Sequence, residues 1–442
     1  MMSVPPDRAG SSSLRPRRVA YLSHSSLMGG ERVLLRLLSA LDRRRVDPVV
    51  VLPEDGPLRG EIEALAIPTH LLPLRWWIPA THWSRDEFLT QLVGLRERTA
   101  SVATWLRKES VDLVHTNTIV TAEGALASAQ VGVPHVWHSR GLFNAGFPPP
   151  YYDDTRFIFS ILDEFADRIL CVSRTVKAQA EEVCQRKLLE VVYDGFDAET
   201  FLQNPVEPDA EFRARFDIPE RIPLIAAVGG IQKRKGLEDL VEAATLLRHS
   251  GKGAVFLLVG VESDTAFAAA LRARIAAADL GGDFRFLGFQ SNVRNVLAHV
   301  ELLVHPSFSE GFGFAVLEAM AGERPVVATR CGGPEEIVRD GETGLLVDVG
   351  RPDALAAAVR ALLLSPERAR LMGEKGRRRV DDFTLRTTAA QTENVYDAVA
   401  EEMARRTADE LARRGAQADR RLEEILVRAR SGSPSLPDSI PV

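Results

Sequence analysis

Glu310 and Glu318 stand with seven residues between them, in the run Ser309-Glu310-Gly311-Phe312-Gly313-Phe314-Ala315-Val316-Leu317-Glu318. Gly311 and Gly313 mark the first part of that run as a loop, and the apolar residues from Phe314 onward mark the second as a helix. Glu310 then lies in the loop, and Glu318 about one and a half turns into the helix. The N–H groups of Phe312, Gly313 and Phe314 head that helix. Unpaired donors and a positive dipole end there attract phosphate. A carboxylate, an anion site and a second carboxylate match three parts of a nucleotide-sugar: sugar hydroxyls, a diphosphate and a ribose diol.

A second group of residues carries positive charge. Val228-Gly229-Gly230-Ile231-Gln232-Lys233-Arg234-Lys235-Gly236 leaves an apolar strand and turns. Fixed cations at Lys233, Arg234 and Lys235 would stabilise the charge that a departing diphosphate gains; a solvated basic turn is the plainer alternative. Met28-Gly29-Gly30-Glu31 also follows a strand, and Gly29 and Gly30 would let backbone approach a ligand closely. His138 ends the strand Val136-Trp137-His138. It could orient a donor sugar, touch an acceptor or simply be packed. His115 and His24 stand in similar places with a weaker case. His135 with His138, and His299 with His305, lack a coherent set of metal partners, so no metal is expected.

These residues need elements to hold them, and the chain supplies alternating strands and helices. Strands are expected at Arg18–Ser23, Val49–Leu52, Asp112–His115, His135–His138 and Arg168–Val172. A second series runs through Leu224–Gly229, Val255–Gly260, Phe284–Gly288 and the strands around Leu302 and Val326. Such alternation implies parallel sheets with right-handed crossovers. The expectation is an α/β protein with two Rossmann-like parallel-sheet domains facing a cleft. Ligands in such sheets bind beyond the carboxyl ends of the strands, where every motif above falls. The expected organisation is a disordered leader 1–16, a first domain 17–200, a linker 201–222 and a second domain 223–383. A crossing helix with a charged, solvated helical extension follows over 384–430, then a disordered tail 431–442.

Composition narrows the classes. At 442 residues, with 45% hydrophobic and 26% charged, the chain can bury two sizeable cores. A net charge of −6 argues against general nucleic-acid binding. Cys171, Cys184 and Cys331 have neither metal-ligand nor disulfide spacing and read as small core residues in a reducing compartment. No apolar run reaches the roughly 18–20 residues of a membrane span. The aromatic stretch Leu74-Arg75-Trp76-Trp77-Ile78-Pro79, with Trp83 and Phe88, could be packing, an acceptor wall or a membrane-surface contact.

The Glu-x7-Glu arrangement, the strand Pro325-Val326-Val327 and the run Gly332-Gly333-Pro334-Glu335-Glu336-Ile337-Val338 together resemble the retaining glycosyltransferases of family 4. That resemblance implies the GT-B fold. It implies that Glu310 contacts the donor sugar, that Glu318 holds the ribose, and that Lys235 and the Gly311–Phe314 loop hold the diphosphate. Gly29 and Gly30 would line the donor and acceptor, His138 the reacting centre, and Gly288 the base. Family members usually carry an Arg where this chain has Gly230; Lys233 or Arg234 could replace its charge. Asp194-Gly195-Phe196-Asp197 stands where relatives often have Asn-Gly-Val-Asp, and Ser173 would cap a helix. The implied activity is metal-independent, cofactor-free, retaining transfer from a nucleotide-diphosphate sugar to a hydroxyl acceptor, in polysaccharide, glycolipid or glycosylated-metabolite synthesis. The acceptor, lipid-linked or not, stays open. The expected setting is the cytoplasm, with peripheral membrane contact and self-association through the C-terminal helix as open alternatives. A degenerate binding protein and a nucleotide-sugar epimerase are the competing readings.

Overall fold

The computed structural model describes residues 15–27, 29–78, 84–141, 155–182, 184, 188–251 and 253–431. Met28, Pro79 and Trp83, most of the expected leader and nearly all of the expected tail lie outside the described residues.

The first sheet contains β1 (Arg17–Leu22), β2 (Val46–Leu52), β3 (Thr69–Leu71), β4 (Leu113–Thr116), β5 (His135–Ser139), β6 (Arg168–Cys171) and β7 (Leu189–Val191). Their order is β3-β2-β1-β4-β5-β6-β7, and every pairing is parallel. The second sheet contains β8 (Leu224–Val228), β9 (Val255–Val259), β10 (Phe284–Gly288), β11 (Leu302–His305), β12 (Val326–Thr329) and β13 (Leu345–Val347). Its order, β10-β9-β8-β11-β12-β13, repeats the first winding. Strands such as Val19–Leu22 and Leu302–His305 are buried along their whole length. Helices cover both faces of a parallel sheet, so these strands are continuous apolar runs without alternation.

Each sheet reverses direction between its first and fourth strands: β1 beside β4, and β8 beside β11. Loops leaving two such strands diverge to opposite faces and open a crevice. Gly29 and Gly30 follow β1. Lys235 follows β8 and Glu310 follows β11.

The stretch read as a linker, 201–222, is not plain coil. It lies among the helices Ala198–Gln203 and Asp209–Arg215, and Phe212 is fully buried. Two chain crossings join the domains side by side. The Phe196 N–H donates to the Phe383 carbonyl at 2.8 Å. A Cβ on Gly195 would lie 2.5 Å from Leu385 Cα, so the crossings touch backbone to backbone.

The helix Leu385–Met403, capped by Thr384, returns to the first domain. It buries Ala389, Val395, Tyr396 and Val399 in one core with Val19, Tyr21, Leu34 and Leu37. The charged extension differs from the solvated helix expected. The helix Ala408–Ser431 lies against Glu123–Val131 of the first domain. Ala418, Leu422 and Ile425 are buried beneath it, at the i, i+4, i+7 spacing of one helix face. Asp167 takes Arg406 at 2.6 Å and Arg414 at 3.0 Å, and Arg421 pairs with Glu164 at 2.7 Å. The apolar stripe was hidden among charges that turn out to be its ion-pairing rim.

Two members of the aromatic stretch are core. Trp77 is fully buried and its indole N–H donates to the Ile119 carbonyl at 2.8 Å; Phe88 is buried too. Trp76 is half-buried with its ring 5.6 Å from that of His24. The three cysteines are free and buried. No helix of the described residues is long and apolar enough to cross a membrane.

Candidate functional site

The turn Lys233–Lys235 ends at Gly236, whose φ is 63°. A Cβ there would lie 1.9 Å from the Pro306 carbonyl oxygen, so only glycine lets the turn after β8 sit on the chain leaving β11. The Phe308 N–H then donates to the Arg234 carbonyl at 2.8 Å, fastening the two loops. On its other side Glu310 donates its N–H to the Cys331 carbonyl at 3.0 Å and accepts from the Gly333 N–H at 2.9 Å. A Cβ on Gly333 would stand 2.3 Å from Phe312 Cα. The glycine pair after β12 is thus what allows the Glu310 loop to lie flat against its neighbour.

That backbone frame brings Lys235 and Glu310 together: the Lys235 ammonium donates to Glu310 Oε2. Arg234 Nη1 lies 3.5 Å from the same oxygen and also donates to the Ser309 carbonyl at 3.1 Å. His305 Nε2 is 3.6 Å from Glu310 Oε2. Burial alone would raise the Glu310 pKa, but Lys235, the nearby His305 and Arg234 together hold it well below the usual carboxylate range. Glu310 is therefore ionised throughout neutral pH. Burial pulls His305 below its ordinary value and favours the neutral ring. A small recess beside Lys235 is lined by Val228, Gly229, His305 and Ser307. Lys233 is exposed.

The helix Phe314–Ala321 starts at Gly313, which has φ 113°. Its first N–H groups have no partner one turn back, as at any helix start. Glu318 sits on this helix with its side chain 15% exposed and with Arg36 of the first domain 3.9 Å away. Burial raises its pKa, partly offset by Arg36 and Arg32. Gly288, at the end of β10, has φ 65° and open space around it.

The two domains meet at Arg140. A Cβ on Gly311 would be 2.4 Å from the Arg140 carbonyl oxygen, and one on Gly30 would be 3.7 Å from Arg140 Cδ. The glycine loop of the first domain and the Glu310 loop of the second therefore lie on either side of one residue. A Cβ on Gly29 would meet nothing within 4 Å.

His138 is placed differently from a ligand-facing residue. It is fully buried, 3.3 Å from His115 Nε2 and 3.1 Å from Arg140 Nη2 through its Nδ1. His115 continues to the Tyr396 hydroxyl at 2.6 Å, which donates to Tyr21 at 2.9 Å. Burial, then Arg140, hold both imidazoles well below their ordinary values, hence neutral. No ring surface of His138 is open to a ligand; it supports Arg140, whose guanidinium also pairs with the buried Asp194. Arg140 and Arg36 are the residues that sequence reasoning missed. A basic residue just past a strand's carboxyl end, and one four residues beyond Arg32 on a glycine-headed helix, were the available signals. Ser173 caps the helix Arg174–Glu181 as expected. Its first N–H groups, from Arg174 and Thr175, donate at 3.0 and 2.9 Å to Glu336 of the second domain. Among the described residues, no three or more His, Cys, Asp or Glu side chains are grouped to hold a metal ion.

Comparison with known proteins places this arrangement. Residues 208–379 match the family description "Glycosyl transferases group 1", and residues 28–200 match "Glycosyltransferase Family 4". The chain is 30% identical over 308 residues to the alpha-maltose-1-phosphate synthase of Mycolicibacterium smegmatis, covering 65% of this chain and 79% of that protein. It is 27% identical over 412 residues to the D-inositol 3-phosphate glycosyltransferase of Corynebacterium glutamicum, covering 85% and 93%. In fold it is similar to Anabaena HepE, solved in complex with UDP-glucose, with a TM-score of 0.71, 21% identity and coverage of 88% and 99%. The paired Rossmann-like sheets, the loop frame around Glu310 and these matches have one common explanation: this chain belongs to glycosyltransferase family 4 and has the GT-B fold.

Proposed function

We propose that this protein is a retaining, metal-independent glycosyltransferase. It moves a sugar from a nucleotide-diphosphate donor to a hydroxyl acceptor in the cytoplasm. The observation that carries the reading is the Lys235–Glu310 pair, with Arg234 beside it, at the crevice between β8 and β11. A cation and an ionised carboxylate held together below the surface offer a diphosphate and a sugar hydroxyl each its partner. Lys235, Arg234 and the N–H groups of the Gly311–Phe314 loop hold the diphosphate. Glu310 accepts from donor-sugar hydroxyls and Glu318 from the ribose. HepE is solved with UDP-glucose, so a uridine diphosphate sugar is the first donor to try.

The anomeric C–O bond to phosphate breaks while the acceptor oxygen bonds to the same face of the sugar. The acceptor proton passes to the departing phosphate oxygen. Cations fixed before the reaction stabilise that leaving group without reorganising. The absent Arg at position 230 is offset by Arg234, which already reaches Glu310.

A thermal-shift screen of UDP, GDP and ADP with their sugar conjugates tests the donor. A ligand at a hundred times its Kd adds roughly 2.7 kcal/mol. Glu318→Ala should abolish the shift, while Glu310→Ala should keep it and lose turnover. Failure of every nucleotide to stabilise the protein would remove the donor assignment. A β-linked product from an α-linked donor would remove retention.

A further inference from the structure

The first helix, Gly29–Ala40, sends two arginines across the cleft from one face. The Arg32 guanidinium lies 5.1 Å from the Phe289 ring centroid. Arg36 lies 4.7 Å from the Phe314 ring and 5.7 Å from the Phe196 ring. Its Nη2 is 3.9 Å from Glu318 Oε1. Phe289, Phe314 and Glu318 belong to the second domain, and Phe196 to the crossing between the domains. Both rings lie within cation–π reach of the guanidinium, a setting that suits arginine better than lysine. Burial lowers the Arg36 pKa and Arg32 adds to this, while Glu318, and then Asp194 and Asp197 from the crossing, oppose it.

The distance of 3.9 Å decides what Arg36 does. It is close enough for ion pairing and too long for a hydrogen bond. Among the described residues, no donor hydrogen-bonds to the Glu318 carboxylate. Its charge is balanced while its oxygens stay unspent. A carboxylate with little exposure and no hydrogen bonds is costly to keep. A vicinal diol is the chemistry that would satisfy it, with two hydroxyls for two oxygens.

We infer that Arg36 is a donor-positioning residue supplied by the first domain: seated over Phe314, its guanidinium balances the Glu318 charge and leaves both carboxylate oxygens for the diol, so that the ribose clamp is complete only when both domains contribute. This rests on the donor assignment proposed above. Nucleotide binding then reports domain closure, because one half of the clamp's electrostatics is on the other side of the cleft.

The test is calorimetric titration of the full chain with UDP, GDP and ADP. The proteins are wild type, Arg36→Ala, Arg36→Lys, Glu318→Gln and the Arg36→Ala/Glu318→Gln double variant. Arg36→Ala should weaken the nucleotide that binds wild type about tenfold, the scale of one charge-assisted contact. Arg36→Lys should recover part of that loss by restoring the charge. In the Glu318→Gln background, Arg36→Ala should change affinity less than about twofold, since the two residues act as one unit. Unchanged affinity in Arg36→Ala overturns the inference. So does a tenfold loss that persists with Glu318→Gln, which would mean contact with phosphate or a general effect on folding. An equal loss in Arg36→Lys also counts against it, and this variant keeps the test decisive if the alanine protein does not fold. Binding of none of the three nucleotides by wild type removes the donor assignment, and this inference falls with it.

Discussion

Replacing Lys235 by Met removes a charge from beneath the surface and keeps most of the length of the side chain. Lys235 and Glu310 are 13% and 17% exposed, so solvent screens their attraction little. Orphaning one partner of a buried pair costs about 3–5 kcal/mol. Arg234 remains 3.5 Å from Glu310, though 43% exposed, which puts the expected cost near the lower end, about 3 kcal/mol. For a domain of this size that lowers the melting temperature by roughly 6–12 °C at neutral pH. The pH dependence identifies the cause. In the wild type Glu310 titrates well below its ordinary value, so the pair stabilises the fold above the unfolded carboxylate pKa of about 4.3, and that stability is lost as pH falls through the folded value. In Lys235→Met only His305 and Arg234 still oppose burial, so the charged carboxylate is less stabilised at neutral pH and protonation removes the difference. The gap between the two proteins should therefore be widest near about pH 7 and shrink below about pH 4. Scanning calorimetry across that range measures it, and adding Glu310→Gln to Lys235→Met should restore most of the loss. A gap that does not change with pH, or no rescue by Glu310→Gln, would refute the electrostatic account.

Three further outcomes are expected. Gly230→Arg places the family's usual cation where the atoms nearest a Cβ are the tips of Ser263 at 3.2 Å and Gln232 at 3.4 Å; because Arg234 already offsets its absence, nucleotide affinity measured by titration should change less than about twofold, and a rise of roughly three- to tenfold would mean that Arg234 does not fill the role. Gly333→Ala drives a methyl into the Phe312 backbone, 2.3 Å away; it should cost about 1–3 kcal/mol in thermal unfolding and, by shifting the Glu310 loop, more in turnover. Arg414→Ala leaves Asp167, 3% exposed, with Arg406; the loss should be about 2 kcal/mol, less than for a fully orphaned charge. It should fade in acid, because Asp167 titrates below its ordinary value when paired, and melting curves at neutral and acid pH would show this.

The parallel sheets were legible because buried strands such as Leu302–His305 are unbroken apolar runs between helices, a local pattern. The Glu310 loop was legible because its glycines, its carboxylate and its helix lie within ten residues. What the sequence concealed depends on partners far along the chain. Arg36 looks like any exposed helical arginine until Glu318 is brought opposite it. His138 looks ligand-facing because it ends a strand, yet it is buried beside His115, Arg140 and Asp194. The terminal helix reads as solvated because its arginines outnumber Ala418, Leu422 and Ile425. Their use became visible only beside Asp167 and Glu164, some 250 residues earlier in the sequence.

The return of the last two helices has a consequence for the order in which the protein is made. The first domain's core includes Tyr396 and Val399, and Ala418 and Leu422 seal its outer face. On the ribosome its sheet emerges before the second domain, yet the residues that close it emerge after that domain. The second domain, contiguous from β8 to the helix Pro366–Val380, can complete itself while the first still waits with open apolar surface. Domains usually finish folding in the order of synthesis. Here the order is inverted, and the interval in which the nascent first domain needs protection from aggregation spans the synthesis of the whole second domain.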